Sequence, residues 1–227
     1  MKVKFTMTAL MRPERNDALG IHVVNGPMSP DKPCVWATRE CIRSCYVRSY
    51  IRRWRNAPSG AALLRIMAQE SAQWLLYTPD CFKGIKLVRL CSRGEGLRDR
   101  WDVEHVRWLA TTTPGTKFLL PTRCHTDPEM RSLVESRLFG ISNLHILASV
   151  DAGTTQEHFD SLVASGWSTM GFFSVQDKPH PLAGDDVERC PKTWGGAHGA
   201  TACKRCGERG TGCFRRGQKN IYLRQHS

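Results

Sequence analysis

Between residues 85 and 173 the chain alternates between short apolar runs and amphipathic runs, and this alternation constrains the fold more than any other feature. The apolar runs have the length of strands, and the runs between them repeat with helical spacing. Such a pattern is typical of a parallel sheet with right-handed crossover helices. The predicted strands are 85–91, 117–122, 144–150 and 168–173, and the predicted helices between them are 103–112, 127–139 and 155–164. Before them, an apolar run at 21–24 predicts a further strand, and helical spacing over 60–77 predicts a further helix.

The five or six predicted strands are too few to close an eight-unit barrel. We therefore expect an α/β fold, either a partial, open β/α barrel of the TIM type or a small doubly wound sheet. In both architectures ligands bind at the carboxyl ends of the strands. The periodicity ends after Pro181, so we expect a barrel body over residues 1–184 and a cysteine-rich, cluster-binding segment over 185–227.

Seven of the ten cysteines lie in two groups. The first group is Cys34, Cys41 and Cys45, with C-x6-C-x3-C spacing, and a predicted helix at 40–54 would put the last two on one face. Three thiolates can hold three irons of a 4Fe-4S cluster and leave the fourth iron open to a small molecule. The same thiols can instead bind zinc with one further ligand, or remain unliganded.

The second group contains four thiols, which suffice for a tetrahedral zinc or for a fully ligated 4Fe-4S cluster. A zinc knuckle that fixes the C-terminal segment is the simpler interpretation. Its members are Cys190, Cys203, Cys206 and Cys213. The other three cysteines are expected to pack as small hydrophobic residues, although two of them follow predicted strands; they are Cys81, Cys91 and Cys124.

Several polar residues follow the predicted strands at the edge where a ligand would bind. Gly94 and Glu95 come directly after one strand, and the glycine allows close backbone approach while the carboxylate accepts hydrogen bonds from an ammonium group. A simple βα turn is the alternative there. Histidines are more often packed or exposed residues than ligands, and His125 is the one that merits a test. The other polar residues at this edge are Arg93, Arg123 and Asp151.

The chain carries 33 Lys and Arg against 21 Asp and Glu, a net charge of +12, which favours a polyanion such as nucleic acid or a nucleotide as partner. The basic residues crowd both cysteine groups, so they can equally form a solvated face or offset thiolate charge. No apolar run has the length of a membrane span, and the start lacks the apolar stretch of a signal peptide. We therefore expect a cytoplasmic protein that does not bind membranes, and in a reducing compartment clustered cysteines favour metal sites over disulfides.

The order of these elements resembles the phage-encoded gene-product-88-type proteins, a family that looks related to radical S-adenosylmethionine enzymes. The resemblance covers about residues 30 to 215. The spacing of the first cysteine group differs from the C-x3-C-x2-C of radical enzymes. Arg93 stands where their Gly-Gly-Glu motif has its first glycine. The matching motifs are Cys45-Tyr46, Val88-Arg89-Leu90 followed by Ser92-Arg93-Gly94-Glu95, Trp108 to Pro114 with Phe118 and Thr122-Arg123, and Cys190-Pro191 followed by Cys203-x-x-Cys206.

The resemblance implies a partial β/α barrel in which the first three cysteines bind a 4Fe-4S cluster. S-adenosylmethionine would chelate the open iron, and Gly94 with Glu95 would contact its amine. The last four cysteines would then hold an auxiliary cluster. The substrate would face three polar residues, Arg93, Arg123 and Asp151. The protein would act as a radical enzyme in the cytoplasm of the phage-infected host, and it would require an electron donor. The rival interpretation is a non-enzymatic nucleic-acid-binding or regulatory protein with structural zinc or iron-sulfur sites.

Overall fold

The computed structural model of the chain describes residues 11–28, 34–43, 45, 65, 68–69, 71–173, 187–191, 193 and 202–224. Within these residues the fold is mixed α/β, built on one eight-stranded and mostly parallel sheet. The strands are β1 (Glu14–Asn16), β2 (Ile21–Val24), β3 (Leu87–Leu90), β4 (Lys117–Thr122), β5 (Leu144–Val150), β6 (Ser168–Phe173), β7 (Val187–Arg189) and β8 (Asn220–Arg224). This outcome confirms the predicted α/β class.

The strands from β2 to β6 lie side by side in chain order, each parallel to the next. Only β1 runs antiparallel, as a short hairpin with β2. At the other side the order changes, because β8 pairs with both β6 and β7 and therefore lies between them. The last strand of the chain is thus an internal strand of the sheet.

Three helices connect the central strands, and each begins at a side chain that caps its first turn. Asp99 accepts hydrogen bonds from the backbone amides of Trp101 and Asp102, Asp127 accepts one from Met130, and Thr155 accepts one from His158. These helices are α2 (Arg100–Thr112), α3 (Pro128–Leu138) and α4 (Gln156–Ala164), with α1 (Arg39–Arg43) before them and α5 (Ala202–Arg209) after them.

The two faces of the sheet have different partners. Side chains alternate along β3, so Val88 and Leu90 pack with the apolar residues of α2, α3 and α4 in one core cluster. Leu87 points the other way and packs in a second cluster with Phe214 and with the four cysteines of the C-terminal segment. The segment 202–214 therefore covers the sheet face opposite the connecting helices.

Most of the predicted strands are confirmed to within a few residues, whereas the elements near the two ends of the chain differ from the prediction. The runs 117–122, 144–150 and 168–173 are strands with the predicted bounds. β1, β7 and β8 were not predicted. Of the helix expected at 40–54, α1 ends at Arg43 and Cys45 lies outside α1, while positions 44 and 46–54 lie outside the described residues. Of the helix expected at 60–77, positions 65, 68, 69 and 71–73 are helical, and the rest before 71 lies outside the described residues. The described helices include none with the length and apolar composition needed to cross a membrane.

Candidate functional site

The loop that carries the first cysteine group lies against the carboxyl ends of the strands. The indole of Trp36 donates a hydrogen bond of 2.6 Å to the carbonyl of Leu97, in the loop after β3. The hydroxyl of Thr38 donates one of 2.7 Å to Asp151 Oδ2, which follows β5. The same hydroxyl accepts a hydrogen bond of 3.0 Å from the amide of Cys41. Two contacts distant in sequence thus fix the loop at the edge where ligands bind parallel sheets.

Arg123 and Asp151 form a nearly buried ion pair beside this loop. Arg123 Nη1 lies 2.7 Å from Asp151 Oδ2, and the two side chains are 12% and 6% exposed. Burial raises the pKa of the Cys41 thiol, while the charge of Arg123 and a hydrogen bond from it act in the opposite direction. Arg123 therefore bridges a carboxylate and a thiol, and its position suits a cation that offsets thiolate charge.

The three thiols share one neighbourhood. Burial raises the pKa of Cys34 to about 11, and smaller contributions in the same direction come from Cys41, Glu95 and Cys45. All three side chains are half-buried and form no disulfide. Within the described residues, no group of three or more His, Cys, Asp and Glu side chains is already arranged to hold a metal ion. The structure nevertheless brings the predicted ligand set together with Arg123 and Asp151.

Glu95 joins the loop after β3 to the end of β4. Its Oε1 accepts hydrogen bonds from the Leu97 amide at 3.1 Å and the Thr122 hydroxyl at 2.8 Å, and its Oε2 accepts one of 2.9 Å from the Arg123 amide. The side chain is 5% exposed, and burial raises its pKa although these donors favour the charged form. The carboxylate that the resemblance assigns to an external amine is thus engaged within the protein.

Gly94 lies where this loop meets the loop after β2. It has φ +74°, and a Cβ at this position would overlap the backbone of Gly26 and Pro27. The amide of Gly26 donates to the Arg93 carbonyl at 2.7 Å, and the Glu95 amide donates to the Pro27 carbonyl at 3.1 Å. Arg93 itself is half-buried. The loops after β2 and β3 are therefore held together by these two backbone hydrogen bonds.

His125 is buried rather than directed toward a ligand. Its Nε2 lies 3.0 Å from the Ser149 carbonyl, and its Nδ1 lies 3.0 Å from Nε2 of His158. Because a carbonyl only accepts, Nε2 of His125 carries the proton, and Nδ1 accepts from His158. Burial lowers the pKa of His125 to about 4, so both imidazoles are neutral at pH 7.

This histidine pair predicts a loss of stability in weak acid. The folded pKa of His125 is about 4 against an ordinary value of 6.5, so only the unfolded chain gains a proton between these limits. Stability is therefore lost as the pH falls through this window, by about 2 kcal/mol between about pH 7 and pH 5 for this one group. Urea unfolding at the two pH values should show this loss, and His125→Gln should reduce it. Equal pH dependence in both proteins would contradict the assignment.

The four cysteines of the second group line one cavity of about 320 Å³ on the sheet face opposite the connecting helices. Leu119 of β4 and Met170 of β6 form part of its wall, and Arg89 of β3 reaches it from the same face. Burial raises the pKa of Cys213, and the other three cysteines add to this rise. The four thiols therefore lie within electrostatic range of one another in a largely apolar space. They are Cys190, Cys203, Cys206 and Cys213.

Three charged residues line this cavity, namely Arg89, Glu188 and Arg189. The positive charge of Arg89 opposes the rise in the pKa of Cys213, and Arg89 Nε is buried without a hydrogen-bond partner. Glu188 of β7 also lines the cavity, and its carboxylate is 3.9 Å from Arg215. A buried guanidinium nitrogen beside four thiols is consistent with a site that carries negative charge when it is occupied.

The three remaining cysteines are buried and belong to the packing. Cys81 closes a short turn, since its Sγ accepts a hydrogen bond of 3.3 Å from the amide of Thr78. Cys91 ends β3 with φ 54°, and its sulfur fills the space left by Gly26 and Gly96. Cys124 is fully buried, and burial raises its pKa. Burial also raises the pKa of Cys91, and the neutral thiols of Cys91 and Cys124 are therefore poor nucleophiles.

Three residues of the two sites were missed in the sequence. Trp36 and Thr38 fix the first cysteine loop, and their partners lie 61 and 113 residues away, which no local pattern reveals. Arg89 was quoted only as part of a matching motif. Its place could have been found from the alternation of β3, because Val88 and Leu90 face the helices and Arg89 must therefore face the opposite side.

Comparisons with protein families, with curated proteins and with solved structures find no match to this chain. The candidate sites are therefore interpreted from their own geometry and chemistry.

Proposed function

We propose that this chain is an iron-sulfur protein with two 4Fe-4S clusters, one on each cysteine group, and that it catalyses radical chemistry on S-adenosylmethionine. The second group would ligate its cluster fully with four thiols. The first group would leave one iron open at the carboxyl ends of the strands. Two donor sets of soft thiolates suit iron-sulfur clusters.

The observation that carries this proposal is the cavity of about 320 Å³ lined by the second cysteine group. A single zinc ion binds four thiolates at about 2.3 Å and needs no space beyond its ligands. A cubane cluster of eight atoms needs a chamber between its thiols. Arg89, whose Nε is buried beside this chamber, also suits a cluster, because several thiolates and sulfides concentrate negative charge.

At the first site, the roles of the residues follow from their contacts. Cys34, Cys41 and Cys45 would hold the cluster, and Arg123 would offset the thiolate charge at Cys41. Asp151 would keep Arg123 in place through the ion pair of 2.7 Å. Glu95, which is already engaged by three donors, would position the strand ends rather than bind the cofactor amine. A cluster with an open iron would supply the electron for reductive cleavage of S-adenosylmethionine.

The same proposal includes an open, partial β/α barrel. The sequential order from β2 to β6 and the packing of α2, α3 and α4 on one face support it. In such a barrel the cysteine-rich segment would occupy the concave side. Chemistry of this kind needs a reducing compartment and an electron donor, so we place the protein in the cytoplasm, with a nucleic acid or nucleotide as its substrate because of the net charge of +12.

Anaerobic purification followed by iron, sulfide and zinc analysis tests the proposal. We expect about eight irons per chain, a brown protein, and a change in the electron paramagnetic resonance spectrum of the reduced protein when S-adenosylmethionine is added. If iron is present but this spectral change is absent, the proposed enzymatic activity is contradicted while the proposed clusters are supported. A colourless protein with zinc at both sites would overturn the proposal and favour the non-enzymatic alternative.

A further inference from the structure

The amino-terminal ends of the strands carry a second concentration of polar groups, far along the strands from the first cysteine loop. There, Lys117 begins β4, His145 is the second residue of β5, and Lys219 directly precedes β8. The loop that follows Phe214 adds two exposed arginines, Arg215 and Arg216. The parallel strands and this loop thus bring four cationic side chains and one imidazole to a single edge of the sheet.

Two adjoining cavities open at this edge. They measure about 450 Å³ and about 330 Å³, and His145, Arg215 and Arg216 line both. Lys117 lines the first and Lys219 the second. No carboxylate is present among the described residues that line either cavity, and the nearest acidic contact is that of Arg215 with Glu188 at 3.9 Å. The concave surface is therefore cationic and is not neutralised by acidic residues in its lining.

Several of these cations are held in place by the backbone. Lys219 is 4% exposed, and its Nζ donates a hydrogen bond of 2.7 Å to the Arg215 carbonyl. Lys117 Nζ donates one of 3.0 Å to the Gly207 carbonyl. Arg215 donates from Nη2 to the Gln218 carbonyl at 3.3 Å. A preorganised group of cations binds an anion with little further loss of side-chain freedom.

The pKa of His145 reflects the positive charges that surround it. Burial, together with the positive charges of Lys219, Lys117 and Arg216, lowers its pKa to about 4. The imidazole is therefore neutral at pH 7 and lies among three cations. An anion bound between them would relieve this mutual repulsion.

We propose that these two cavities form a phosphate-binding site, which takes the phosphate group of a nucleotide or of a nucleic-acid backbone. Phosphate matches the site because arginine binds its oxygens through two parallel N–H donors and lysine adds a point charge. None of the seven candidate cluster ligands lines the site, so it can fail while the clusters are confirmed. It rests on the proposed function only in naming where the nucleotide or nucleic-acid substrate would bind. It also places four of the chain's basic residues at the strand ends opposite the first cysteine group.

The test measures binding of a fluorescent single-stranded oligonucleotide to the full-length, anaerobically purified protein. Arg216→Glu should weaken binding about tenfold and reduce the slope of log affinity against log salt by about one. Arg100→Glu is the matched control, since Arg100 is also exposed but lies at the first turn of α2. It should bind as the unchanged protein does. Equal losses in both variants, or no loss in Arg216→Glu, would overturn the proposal.

Two further measurements identify the source of the phosphate and protect the test against a misfolded variant. Competition by adenosine monophosphate would assign a nucleotide phosphate, and binding of the oligonucleotide alone would assign a polymer backbone. In the unchanged protein, the bound oligonucleotide should protect Lys117 from acetylation but leave the exposed Lys83 reactive. Equal acetylation of Lys117 with and without oligonucleotide would overturn the site whatever the variants do.

Discussion

Replacing Cys34 with alanine is expected to lower the iron content of the anaerobically purified protein from about eight to about four atoms per chain. Cys34 lies with Cys41 and Cys45 at the strand ends, whereas Cys213 lies in the cavity on the sheet face. Because the two groups occupy different places, Cys213→Ala should cause a loss of similar size while sparing the first site. Only the protein with Cys34 intact should respond to S-adenosylmethionine.

Cys81→Ser is the control for these two substitutions. Cys81 is buried at a turn, and serine can accept the hydrogen bond from the Thr78 amide that the thiol accepts. This variant should therefore keep its full iron content. If Cys34→Ala instead released all of the iron, the two cysteine groups would not be independent sites, and the proposed division of ligands would be wrong.

Replacing Gly94 with alanine is expected to destabilise the protein by about 3 to 5 kcal/mol. The residue has φ +74°, and the added Cβ would collide with the backbone of Gly26 and Pro27, which cannot rotate away as a side chain can. Urea unfolding at pH 7 measures the effect. Displacement of the loop would also move Glu95 and with it the end of β4.

Gly84 provides a matched comparison. Its φ is +80°, close to that of Gly94, but nothing lies within 4 Å of the position that its Cβ would occupy. Gly84→Ala should therefore cost only the left-handed backbone conformation, about 1 kcal/mol. The difference between the two variants isolates the collision between the loops. Equal losses would show that the loop after β2 does not press against Gly94 in solution.

The central strands could be predicted because their local pattern and their environment agree. All seven residues of β5 are buried, and five of the seven are apolar, which gives the strand a recognisable apolar run in the sequence. Helix α2 begins three residues earlier than periodicity alone predicts, since the Asp99 cap lies before the first apolar position. A cap of this kind has a local signature, so this boundary was available from the sequence.

The edges of the sheet and the anchors of the first site could not be predicted in the same way. β7 has only three residues, and its partner strand β8 follows the whole second cysteine group. The pairing of β8 with β6 joins residues about fifty positions apart and depends on the packing of the segment between them. The cysteine residue types pointed to ligand sites, but their placement on two different parts of the sheet depends on this long-range packing.

The internal position of β8 gives the C-terminal segment a role in the folding of the sheet. Because β8 pairs between β6 and β7, the edge of β6 is covered only when β8 has entered the sheet, and β8 follows the segment 202–214 that packs on the sheet face. Until then β6 presents an open edge, whose unpaired amides and carbonyls can recruit another chain. If the four cysteines bind metal during folding, as metal sites commonly do, the insertion of β8 and the closure of the segment over the sheet become one event. Cells that lack iron would then accumulate an aggregation-prone intermediate rather than an intact, empty protein.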